Sequence, residues 1–543
     1  QRNRLQKSKS LKSICHPPPS PPTMPSKIYP LFPAILLALG TCTLTPGTRT
    51  LSLASCNGAE NWNQFRGPQG NGISKEGKIP IHFDEAKNIK WKTAVPDSGW
   101  SSPVIWKEEI WLTAGNDASK ELRLLCFDLN SGELTRNIKV FNMIARKIDP
   151  EYTFDSPHLN SPATPTPVVE EDVIFVSFGS QGIACVDKGT GNKLWERRDL
   201  RVYQPVRQGS SPIVDNEKLY VAYDGTDAQF FVALNKQTGE TAWRTERNVA
   251  TDWSETLSKR GLTPKKGGKP NDNKKSFATA SLINVNGKTQ LIAPAAEAII
   301  SYDPENGQEL WRTVHPGGFN VAARPIFVDG LIYVFTSGLN HFLMAIRPDG
   351  RGDITDTHVQ WSTYQGTPEI PSPIVSDGSL FLVTAKGGIA RCLNAKDGNE
   401  RWKTRLGGDH WASPVQTDGK LYFCSKDGRV KILQASSEQP ETLASNQLNA
   451  EFIASPAIAE DCLILRSKTH LYCISEGFTR SEKQVAADVY PTREQNFGGL
   501  MKKEQPKSED ALQVLSKQLR EMVKAGTLTG EEARDLYRAA AGE

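Results

Sequence analysis

The residues of this chain whose types could do chemistry stand singly rather than in a motif. Trp100, His158, Asn160, Arg324, Asp409, His410 and Trp411 each lie at or shortly before a Ser-Pro-like step. Indoles offer flat stacking faces, a guanidinium offers a fixed cation for an anionic ligand, and His and Asp offer proton transfer or metal ligation. His158 and His410 are too isolated in sequence to be read as metal ligands. These seven are therefore read as a mixed aromatic and polar mouth facing a ligand, with no catalytic residue and no metal assigned. The competing reading for each is packing or a solvated loop.

Cysteine adds no further chemistry. Nine are spread over 543 residues, with no Cys-x-x-Cys, no Cys-x-x-Cys-His and no adjacent pair. Zinc-ribbon, thioredoxin-like and c-type haem readings lack their minimal motif. A net charge of +4, from 65 basic and 61 acidic residues, gives no global field for nucleic acid. A mean hydropathy of −0.45 excludes a polytopic membrane protein.

The mouth residues need a frame, and a repeat supplies it. Asp187 to Gly191 to Trp195, Asn235 to Gly239 to Trp243, Asp303 to Gly307 to Trp311 and Asn394 to Gly398 to Trp402 share one spacing. Asp128 to Gly132 keeps the turn but carries Arg136 in place of Trp. The Asx side chain caps the turn, Gly supplies a positive φ, and Trp opens the next strand to seal one sheet against its neighbour. Six residues before each Gly sits a small residue (Cys126, Cys185, Ala233, Ser301, Cys392), so these cysteines are read as small core hydrophobes.

A second marker opens each unit, at Pro103, Pro167, Pro212, Ser281, Pro325, Pro373, Pro414 and Pro456. Short β-branched and aromatic runs bounded by Asp-Gly or Asn-Gly turns follow it. Four-stranded units at this period predict an all-β fold, an eight-bladed β-propeller of antiparallel blades. The last unit stops after Cys473 without its Trp strand, whereas Trp91 stands 12 residues before Pro103, the spacing of Trp361 to Pro373 and Trp402 to Pro414. Lys90-Trp91-Lys92 is therefore predicted to close the ring as the outer strand of the last blade.

These repeats resemble those of the pyrroloquinoline-quinone (PQQ)-type propellers, the quinoprotein alcohol dehydrogenase-like superfamily that also contains the outer-membrane assembly lipoprotein of Gram-negative bacteria. Trp62-Asn-Gln-Phe-Arg-Gly-Pro68, Gly209-Ser-Ser-Pro-Ile213, Asp224-Gly-Thr-Asp227 and Ile346-Arg-Pro-Asp-Gly-Arg-Gly-Asp353 are similar to exported bacterial propellers common in planctomycetes. The resemblance spans residues 61–475 and speaks to fold more than to activity. It implies two functions. One is a binding scaffold in the cell envelope, which needs no cofactor and takes an envelope protein or glycan. The alternative is a PQQ-dependent dehydrogenase of alcohols or sugars, with PQQ and calcium. Trp100 or Trp411 would then floor the quinone and Arg324 would meet its carboxylates. The adjacent cysteines of many such dehydrogenases are missing, and the scaffold is the reading preferred.

Residues 1–60 carry the order of an export signal: basic residues, an apolar run from Leu31 to Leu44, then small and polar ones, with Met24 read as its start. Leu53-Ala54-Ser55-Cys56 has the form of a lipidation site, but Pro46 and Arg49 separate it from the apolar run. A periplasmic or cell-surface monomer follows, with lipid anchoring as the variant and no membrane span in the mature chain. The basic stretch 251–275 is read as a solvated connection between blades. Residues 478–507 read as a linker and 508–543 as a helical hairpin, where Thr529 and Glu532 form a capping box.

Overall fold

The computed structural model describes residues 61–75, 77–145, 160–247, 274–315, 317–338, 341–489, 516, 519 and 520. The export segment, His158, the greater part of the basic stretch and nearly all of the C-terminal hairpin lie outside the described residues.

Eight four-stranded antiparallel sheets follow one another along the chain, numbered here as blades 1 to 8 in the order of their innermost strands. Blade 4 gains a fifth strand, Gly352–Asp353, which pairs in parallel with its outer strand Glu309–Val314. Blade 8 consists of Ala457–Ala459, Cys462–Arg466 and His470–Thr479, completed by Lys87–Ala94. Trp91 pairs with Cys473 and Lys92 with Tyr472, so both ends of the propeller sequence share one sheet, as the Trp spacing predicts. No raw edge is left there.

Each blade is built around one row of four residues. In blade 3 the row is Ile213, Tyr220, Ala233 and Trp243; in blade 6 it is Ile374, Phe381, Cys392 and Trp402. The second-strand aromatic and the outer Trp approach across the small third-strand residue, with Tyr220–Trp243 and Phe381–Trp402 centroids 6.0 Å apart. That contact is why the slot stays small. The slot cysteines are buried and burial raises their thiols, Cys126 and Cys185 to about 12. They remain neutral core residues.

Six of the eight blades carry the outer Trp, with Arg136 and Ala444 in its place in blades 1 and 7, and this Trp joins adjacent blades. Its indole N–H donates to the carbonyl that follows the Asx residue of the next blade: Trp195 to Lys236 at 2.7 Å, Trp243 to Pro304 at 2.9 Å, and Trp91 to Leu129 at 2.9 Å. The ring itself lies on the next turn's glycine, where a Cβ would sit 2.4 Å from Trp91 at Gly132 and 2.6 Å from Trp195 at Gly239. Those glycines are thus held by a positive φ and by a close approach together. Blade 4 departs from this rule. Trp311 donates to Gln290 Oε1 at 2.8 Å, and Gln290 Nε2 passes the bond on to the Pro348 carbonyl of blade 5 at 3.1 Å.

Beyond Gly477 the third strand of blade 8 continues to Thr479, and the first part of the expected linker forms a helix, Glu482–Val489. Ser481 caps it reciprocally with Gln484, the pattern of a capping box.

Candidate functional site: the ring axis and its two mouths

The Ser-Pro-like marker is explained at the axis. The N–H of each Ser or Thr donates to the hydroxyl of the equivalent residue one blade on. Ser102 gives to Thr166, Thr166 to Ser211, Ser211 to Thr279, Ser372 to Ser413, Ser413 to Ser455 and Ser455 to Ser102, at 2.9–3.2 Å. Arg324 N–H gives to Ser372 at 2.9 Å. A hoop of buried hydroxyls thereby satisfies backbone donors that no ladder reaches.

The hoop corrects one reading. In blade 4 the marker is Thr279–Ala280, because Ser281 pairs with Ile292 just as Ile213 pairs with Tyr220. Ser281 belongs to the strand, one residue later than the sequence pattern placed it. The hoop breaks once, where Arg324 stands in the Ser position of blade 5.

Residues 61–74 cross the far ends of the innermost strands, and residues 77–83 run outward along blade 7 to its outer strand. Trp62 O accepts from Ile105 N and Asn63 O from Val169 N, Gly72 and Ser74 bond Gln416, and Phe83 N reaches Asn446. This strap sends Arg66 inward, to the carbonyls of Pro373 at 2.6 Å and Pro414 at 3.2 Å. Arg324 meets it, donating to Phe65 O at 2.6 Å, Gln64 Oε1 at 3.3 Å and Ser281 Oγ at 3.2 Å. Arg466, in blade 8, is buried against Ser101 and the Thr113 carbonyl. Burial lowers Arg66 and Arg466 to about 9 and Arg324 to about 10. Sequence reasoning noted the motif around Arg66 but assigned that residue no role, and its only signal was the unusual Arg at the hoop position.

The opposite mouth is aromatic. Trp100 and Trp411 precede the innermost strands of blades 1 and 7 and meet edge to face, with centroids 5.9 Å apart and planes at 80°. Both are half-buried. Lys426 lies over the Trp411 ring at 4.4 Å, a cation–π contact. Its backbone N–H bonds the Asp409 carbonyl at 2.8 Å, while the exposed Asp409 carboxylate accepts the Gly387 N–H at 3.0 Å.

Of the expected mouth residues, Trp100, Trp411 and Asp409 are thus gathered here. Asn160 bonds the Arg207 carbonyl at 3.3 Å. His410 turns inward: it is 1% exposed, and its ring nitrogens sit 3.0 Å from the Cys424 and Gly407 carbonyls. Burial lowers its pKa, and both ring nitrogens are taken up by backbone carbonyls, so it faces the interior and not a ligand. Arg324 is likewise interior, 4% exposed, because its donors are taken by the strap. His158 lies outside the described residues.

PQQ with calcium asks for an open aromatic floor, cations for its carboxylates and a cage of about six to eight oxygens. Among the described residues no group of three or more His, Cys, Asp or Glu could hold a metal. Arg324 faces the strap, and the two indoles meet edge to face. Among the described residues Arg324 is thus committed to the strap and is not free for a quinone carboxylate at the aromatic mouth. Also among the described residues, no helix is long and apolar enough to cross a membrane.

Comparison with known proteins agrees with the architecture. A stretch of 153 residues is 30% identical to the quinoprotein alcohol dehydrogenase PedH of Pseudomonas putida, covering 27% of this chain and 22% of that enzyme. The chain therefore spans about a fifth of the length of that curated relative. A europium-containing methanol dehydrogenase superposes with a TM-score of 0.53 at 12% identity, over 77% of this chain and 90% of that one. The quinohemoprotein alcohol dehydrogenase ADHIIG of Pseudomonas putida HK5 gives 0.54 at 12% identity, over 78% and 81%. At such identity these two similarities concern the fold alone. The family described as outer membrane protein assembly factor BamB matches twice, over residues 88–256 and 232–478, which together take in all eight blades; the chain belongs to this PQQ-type repeat propeller family.

Proposed function

We propose that this propeller is a binding scaffold of the cell envelope, which engages an envelope protein through the mouth formed by Trp100, Trp411 and Lys426. The observation that carries the reading is the contrast between the two ends of the innermost strands. The strap crosses one end, while a half-buried aromatic pair and a cation stand at the other. Paired indoles beside a cation suit an aromatic or acidic segment of a partner protein. The family description, an assembly factor of outer membrane proteins, supports the same reading. Export through the signal-like residues 1–60 belongs to this proposal.

Photo-crosslinking from position 411 in native envelopes tests it. A discrete protein adduct is expected, lost when Trp100→Ala is added and absent when the crosslinker stands at the exposed Leu194, on an outer strand. Equal labelling from both positions would sink the scaffold.

A second reading, a PQQ-dependent dehydrogenase, is favoured by the 30% identity to PedH over 153 residues. The commitment of Arg324 to the strap, away from the aromatic mouth, speaks against it. Addition of PQQ and calcium to the purified chain is expected to give no dye-linked oxidation of alcohols or sugars. Turnover that disappears in Trp411→Ala would make the protein an enzyme.

A further inference from the structure

We infer that the ring axis holds a compact monovalent anion, of the halide class, between the guanidinium groups of Arg66 and Arg324, and that this anion staples the N-terminal strap to blade 5. The two residues are 1% and 4% exposed. Among the described residues neither forms an ion pair with a carboxylate. Every partner of either guanidinium is a neutral oxygen: Asn71, Pro373 and Pro414 carbonyls for Arg66, and Phe65 O, Gln64 Oε1 and Ser281 Oγ for Arg324.

The donor count leaves room for a further ligand. A guanidinium carries five N–H donors. Each of these two makes three hydrogen bonds, and the Nε of Arg66 is buried with no partner. An unpaired N–H on a buried cation is costly, and two unneutralised like charges in a dry interior cost more. The groups are near neighbours. Arg324 holds the carbonyl of Phe65, the residue directly before Arg66, and the Arg324 charge helps to lower Arg66.

The strap is shaped for this approach. Its glycines are the surfaces laid against the cations: a Cβ at Gly70 would fall 2.2 Å from Arg324 Cζ, and one at Gly72 would fall 2.5 Å from Arg66 Nη2. Such tight packing favours a small ion over a branched organic acid. One anion shared by both groups cancels their repulsion and joins strap to ring, at the single place where the hydroxyl hoop is broken.

Bromide is the probe. Crystals of the full chain, dialysed free of chloride and soaked in sodium bromide, are expected to show an anomalous peak in contact with both guanidinium groups. In solution, bromide is expected to raise the thermal midpoint by about 2–4 °C over sodium gluconate at equal ionic strength. Arg324→Ser restores the residue type used in most other blades, so it is expected to fold and to lose the bromide-specific rise. Bromide peaks found only elsewhere overturn the proposal. So do equal midpoints in the two salts, or a rise retained by Arg324→Ser.

Discussion

Arg136 of blade 1 donates to the carbonyl of Lys188 in blade 2, the turn position that receives an indole N–H where the outer strand carries Trp. A second bond to Gly189 O, at 2.6 Å, holds the guanidinium over that turn. This repeat lacks its Trp, as blade 7 does with Ala444, but it has kept the joint and changed the donor. Arg136→Ala is expected to lower stability by about 1.5 kcal/mol, the scale of a charged hydrogen bond. Arg136→Lys should recover part of it, because both bonds leave a single nitrogen, Nη1, and an ammonium carries three donors. Urea unfolding of the three proteins checks the order.

Trp91 is the joint that closes the circle. Trp91→Ala removes a buried indole, its bond to Leu129 O and its contact with Gly132. A loss of about 3–5 kcal/mol is expected. Deleting residues 61–95 should abolish a single cooperative transition in calorimetry, whereas removing 508–543 should leave it nearly unchanged. An N-terminal deletion that melts like the full chain would refute closure through this strand.

The small slot makes an overpacking prediction. Cys185 faces Trp195 on one side and Phe175 on the other. Cys185→Leu is expected to cost about 1–3 kcal/mol. Cys185→Ala keeps the volume low and should cost less. The comparison is read from denaturant midpoints.

His315 sets part of the acid limit. It is wholly buried beside Phe342, and burial pushes its pKa from 6.5 down to about 4. Between those values the unfolded chain takes up a proton that the folded chain refuses. Its contribution is intact above about pH 6.5 and is lost as pH falls toward 4. In His315→Gln the thermal midpoint should fall less steeply over that range. An unchanged slope would assign acid lability elsewhere.

The blades were legible because their determinants are local. An Asx cap, a turn glycine and a Trp recur within one unit, and the 12-residue spacing before Pro103 extends the pattern to the closing strand. Arg66 and His410 were not legible in the same way. Their roles depend on which distant backbone they meet: Arg66 bonds Pro414, 348 positions away, and His410 bonds Cys424 across a strand junction. Periodicity carries no information about such partners. Ser281 was misplaced by one residue because Thr279–Ala280 lacks the proline that marks most other units.

The closing strand also governs the order in which this molecule can form. Asn88 accepts the N–H of Gly477, a residue 389 positions away. Until that late stretch exists, seven blades must wait with the first edge and the last edge both open. Contacts of such separation are slow to find, and the waiting edge of His470–Thr479 is a template for pairing between molecules. Crowded refolding should therefore fail by association at this seam, and a short peptide covering Lys87–Ala94 should compete for it before the ring closes.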